Sequence, residues 1–138
     1  MDETAQQWTQ KGKAARDAGD LPEALRAYWI AAAALRVVSE PLRLAHTIRH
    51  IADIQRQMGE LDDAKANYAE ALAIYRSNLS TSILDLANTL RGFALLMQQL
   101  DDPAAATAMW QEARALYNAV SVQAGVDEAD RRLAALTH

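Results

Sequence analysis

"LRLAHTIRHIA" at residues 42–52 returns as "LDLANTLRGFA" at residues 84–94. Leu42/Leu84, Leu44/Leu86, Ala45/Ala87, Thr47/Thr89, Arg49/Arg91 and Ala52/Ala94 are identical, six of eleven positions at a spacing of 42. Within each copy the apolar residues recur at intervals of three and four, the spacing of one helical face. A helical segment that repeats at this period is one unit of an array. A single helix hairpin is too small to bury its apolar side alone, so neighbouring hairpins must stack and a terminal element must close the end.

The punctuation on either side fits this reading. "AGDLPEAL" at 18–25 sets Asp20 ahead of a helix start, with Glu23 three residues on as its capping-box partner. Pro41 falls in a first turn, Gly59 stops a helix, Ser82 and Asp85 form another capping box, and Asp102 precedes Pro103 at a first helical position. The pattern predicts seven helices at about 3–18, 22–38, 41–58, 61–77, 82–99, 103–120 and 126–136, with ends good to about two to four residues. Short connections make neighbours antiparallel. The expected organisation is one all-α domain over 1–138, with hairpins at about 4–39, 40–79 and 80–120. A capping helix at about 126–136 closes it, with an apolar stripe of Val126, Ala129, Leu133 and Leu136.

Composition narrows the function. Apolar residues make up 51% of the 138, which is ordinary for a globular protein and unlike a disordered one. The net charge of −4 and the lack of any long Lys/Arg block argue against nucleic acid as a partner. No apolar run approaches the ~20 residues that span a bilayer, so no membrane partner is expected. "MDETAQQW" is acidic and polar, unlike a secretory signal, and cysteine is absent; both suit a cytoplasmic protein.

Aligned by unit, the sequence gives Trp8, Gly12, Gly19, Ala24, Tyr28 and Ala31, then Ile48, Ala52, Gly59, Ala64, Tyr68 and Ala71, then Leu90, Ala94, Asp101, Ala106, Trp110 and Ala113. This succession resembles the tetratricopeptide repeat family, in which small residues let two helices approach and aromatics fill the space between hairpins. The period of 40 and then 42 resembles the long-repeat variant of kinesin light chains. Two departures are Lys11, where a large apolar residue is usual, and Asp101, in place of a turn glycine. The resemblance implies a right-handed α-solenoid and a non-catalytic protein–protein interaction module. Its concave groove, lined by the first helix of each hairpin, would bind a peptide.

The groove face then carries Lys13 and Arg16 on the first helix; His46, Arg49, His50, Asp53 and Arg56 on the third; and Asn88, Arg91 and Leu95 on the fifth. Arg49 and Arg91, repeated at one position, are expected to grip a carboxylate bidentately, which points to an acidic segment or a protein's C-terminus as ligand. The competing reading pairs each arginine with a nearby acid, and Asp53 lies one turn after Arg49.

His46 and His50 stand four apart, as two metal ligands on a helix do. The Glu that would follow the first His of a metalloprotease is Thr47 here, so neither metal nor cofactor is expected. No nucleophile, phosphate-loop or paired-carboxylate signature suggests an enzyme. The alternative function is a structural unit that self-associates weakly through its outer face or ends, with Trp29 as the candidate patch.

Overall fold

The structure, a computed structural model, describes residues 2–137, and these are helical apart from turns. Seven helices follow one another: α1 (Asp2–Asp17), α2 (Leu21–Val37), α3 (Pro41–Met58), α4 (Leu61–Arg76), α5 (Ile83–Gln99), α6 (Pro103–Ala119) and α7 (Gln123–Leu136). They form two compact units, Met1–Tyr75 and Arg76–His138.

The helix starts form where capping chemistry places them. Asp20 accepts from the Glu23 amide, Ser82 from Asp85 and Asp102 from Ala105, each satisfying an amide that the first turn leaves unpaired. The hairpin turns share one closure. Gly19 and Gly59 adopt φ of +82° and +83°, and Asp101, at the matching position, adopts +59°. The next amide in each case reaches back five residues, Asp20 to Ala15, Glu60 to Gln55 and Asp102 to Met97. Aspartate tolerates the left-handed region better than most side chains, so the third turn keeps its shape without glycine.

α7 begins three residues earlier than the charge pattern suggests. Ser121, at φ +58°, closes α6 in the same manner, and Val122 follows as the N-cap. This early start brings Gly125 against Tyr117: a Cβ on Gly125 would overlap the tyrosine ring.

Cores form where small residues let helices meet. Ala24, Ala52, Ala64, Ala94 and Ala106 are fully buried, as are Tyr68 and Trp110, and Tyr28 is nearly so. Gly12 is buried directly beneath the Tyr28 ring. Each later aromatic also finds a polar partner on the preceding helix. Arg56 Nε donates to the Tyr68 hydroxyl at 3.2 Å, and Trp110 Nε1 donates to Gln98 at 2.8 Å. Lys11 has its ammonium 4.2 Å from the Trp8 ring centre, so this position serves the aromatic as a cation instead of as an apolar contact.

Candidate functional site

α3 buries far more than one stripe. Beside Leu44, Ala45, Ile48, Ile51, Ala52 and Ile54, it buries Thr47, Asp53 and Gln55. Such polar groups survive burial only when paired. Thr47 Oγ1 donates to the Arg43 carbonyl at 3.0 Å, and Thr89 repeats this bond to Asp85 at 2.8 Å. The repeated threonine therefore satisfies itself within its own helix.

Arg49 Nη1 donates to Asp53 Oδ2 at 3.0 Å, and the two side chains are only 14% and 10% exposed. The other carboxylate oxygen accepts a short hydrogen bond from the Tyr68 hydroxyl. Arg56 adds its Nε–H to that hydroxyl, so four side chains tie α3 to α4. Burial, then the Asp53 charge, pushes the Tyr68 phenol well above its ordinary range, which keeps it a neutral donor. Arg49 thus holds the in-helix acid, with its Nε buried and unpartnered. It is not an open receptor for a carboxylate.

The open cations lie nearby. His50 stacks on Tyr28 with ring centres 5.3 Å apart and planes 8° from parallel, and the His46 ring meets it edge-on at 4.6 Å. Arg16 Nη1 lies 3.2 Å from His50 Nδ1. A guanidinium only donates, so Nδ1 accepts and the ring proton sits on Nε2. Burial first, then the charges of Arg49, His46, Arg16 and Lys13, lower the His50 pKa to about 3. His50 is therefore a neutral acceptor that aims Arg16. Lys13, exposed, and Arg16, half-buried, have no acidic partner among the described residues.

In the second unit Arg91 holds an acid of its own. Its Nε and Nη2 grip Glu128 of α7 at 2.5 and 3.1 Å. The hydrogen bond from Arg91 holds the Glu128 carboxyl below its usual range. Leu95, half-buried, occupies the place that Asp53 has in the previous copy, so no acid lies one turn along α5. Asn88 Oδ1 accepts from the Tyr117 hydroxyl at 2.6 Å.

The ten candidates therefore separate into three groups. Lys13, Arg16, His46 and His50 gather on the α1–α3 face of the first unit. Arg49, Asp53 and Arg56 link α3 to α4 through Tyr68. Asn88 and Arg91 join α5 to α6 and α7 through Tyr117 and Glu128, and Leu95 lies one turn beyond Arg91. Sequence reasoning missed Glu128; the signal for it was Leu95, which leaves Arg91 without an in-helix acid. It also missed the stacking of Tyr28 on His50 and the hydrogen bonds of Tyr68, since both residues look like spacers in a linear pattern. Among the described residues, no group of three or more His, Asp or Glu stands where it could hold a metal ion. No described helix is long and apolar enough to cross a membrane.

No curated protein matches the sequence. Among solved structures it is similar to that titled "Crystal structure of MamA protein", with a TM-score of 0.63 and 17% identity, over 99% of this protein and 75% of the other. At that identity the likeness is one of fold. The family described as tetratricopeptide repeat matches residues 43–119, more than half of the sequence, and takes in the second copy of the repeated segment and all of the first but Leu42. The chain belongs to the tetratricopeptide repeat family.

Proposed function

We propose that the α1–α3 face of the first unit receives an acidic peptide segment or a C-terminal carboxylate, and that the protein works as a non-catalytic protein-binding module. Family membership supports the coarser part, since these repeats serve protein–protein interaction. The finer part rests on Arg16. Its guanidinium is held by a neutral histidine, not by an acid, and Lys13 stands one turn earlier on the same helix. A carboxylate arriving there meets two cations that are held by no acid among the described residues, in a protein whose net charge is −4. Arg49 and Arg91 contribute differently from the sequence expectation. The first adds positive potential behind His50, and the second holds α7.

The test is binding of a fluorescein-labelled Ala-Asp-Glu-Asp-Leu peptide, with a free or an amidated C-terminus, followed by anisotropy. Lys13→Glu with Arg16→Glu is expected to weaken binding at least tenfold, about 1.4 kcal/mol, with helicity unchanged. Arg91→Gln is expected to leave the affinity alone. Undiminished binding to a folded double variant would remove the proposal. The free-against-amidated comparison separates a C-terminal carboxylate from an internal acidic segment.

A further inference from the structure

We infer that the first unit carries a second binding site, in the cleft between α2 and α4, which takes an arginine side chain presented by a partner protein. The cleft has a volume of about 430 Å³ and is lined by Leu25, Trp29, Gln55, Glu60, Asp63 and Asn67. The inference does not depend on the acidic-peptide reading, whose residues lie on α1 and α3.

Trp29 is 40% exposed. The matching positions of the other two units hold Ala69 and Gln111, so the repeat itself does not need an aromatic here. Its surroundings also differ from those of the other tryptophans. Trp8 has Lys11 and Arg26 over its ring, and Trp110 has Arg132. Among the described residues no cation covers Trp29, and its indole N–H has no partner.

The charge beside this open ring is negative. Glu60 and Asp63 are exposed and, among the described residues, make no ion pair, whereas Glu70, further along α4, is already held by Arg36 at 2.8 and 3.0 Å. At the floor, Asn67 donates to the side-chain oxygen of the buried Gln55 at 2.7 Å, which ties α4 to α3 there. The cleft therefore offers a π face and an apolar wall at Leu25, with two carboxylates beside them.

That combination selects a cation with a long apolar stem. A neutral aromatic would bury the carboxylates without compensation, and an anion would be repelled. Arginine suits it better than lysine, because a planar guanidinium stacks on the indole while its N–H groups fork to a carboxylate. The occupant is thus a basic segment of a partner, with an apolar residue beside its arginine.

The experiment uses the full-length protein labelled with ¹⁵N, in which the Trp29 indole signal is identified by its loss in Trp29→Phe. The probes are acetyl-Leu-Arg-Leu-amide and its citrulline counterpart, which keeps the shape and removes the charge. The arginine peptide is expected to move the Trp29 signal saturably and to leave those of Trp8 and Trp110 in place. The citrulline peptide, and the arginine peptide with Glu60→Gln plus Asp63→Asn, are each expected to bind roughly tenfold more weakly. Equal responses to both peptides, or none to either, would overturn the inference. So would a Trp29 shift that follows protein concentration without peptide, because a second copy of the protein would then fill the cleft.

Discussion

An aspartate at position 53 and a leucine at the matching position 95 send two equivalent arginines to different partners. Asp53 keeps Arg49 within α3 and adds Tyr68, while Leu95 leaves Arg91 to reach Glu128. Removing one member of a buried pair strands the other, so Asp53→Ala is expected to destabilise the fold by about 3 kcal/mol. Tyr68→Phe, which deletes one donor to that carboxylate, should cost about 1–3 kcal/mol. Urea unfolding of both variants at pH 7 checks the order. His50 adds a pH dependence whose sign follows from its lowered pKa of about 3. When unfolded it titrates near 6.5, so between these values the unfolded protein binds the extra proton and the fold does not. Its stabilising contribution is complete above pH ~6.5 and is lost as pH falls towards 3, with a slope of up to about 1.4 kcal/mol per pH unit. Unfolding series at pH 7, 6, 5 and 4.5 should therefore be flatter for His50→Gln than for the wild type. Parallel series would show that His50 is not held neutral.

At the scale of the element, α7 depends on a close approach and a charged grip. Alanine in place of an exposed helical glycine normally stabilises by about 1 kcal/mol. At Gly125 the new methyl would press into the Tyr117 ring, and the sign reverses. Gly125→Ala is expected to lower the melting temperature and to speed amide exchange along α7. Glu128→Gln should do the second with little of the first, because the Arg91 side chain is 42% exposed and such pairs contribute about 0–1 kcal/mol. Helices of this kind were legible in the sequence because their signals are local: Asp20, Ser82 and Asp102 cap within three residues of themselves. The faces of α3 were less legible. Whether Asp53 is buried depends on Tyr68, fifteen residues away on another helix, and no periodicity within α3 carries that information. The α1–α3 cations were legible as residues of one face, but not which of them stay unpaired. That outcome turns on a single acid, at position 53, outside the repeated positions.

At the scale of the whole molecule, each unit has its own core and its own polar device. The first presents Lys13 and Arg16 beside a neutral histidine, and the second holds its terminal helix through Arg91. The proposed function therefore belongs to the first unit, and the two devices share no residue. Variants that loosen α7 should leave the affinity for an acidic peptide unchanged, and Lys13→Glu with Arg16→Glu should leave α7 exchange unchanged. The central claim is that the acidic ligand meets α1 and α3, and mapping backbone amide shifts of the ¹⁵N-labelled protein during titration with the Ala-Asp-Glu-Asp-Leu peptide tests it most directly. The largest changes are expected at residues 13–17 and 46–50, with residues 88–95 unmoved. Changes confined to 88–95 and α7, or no change at saturating peptide, would contradict it.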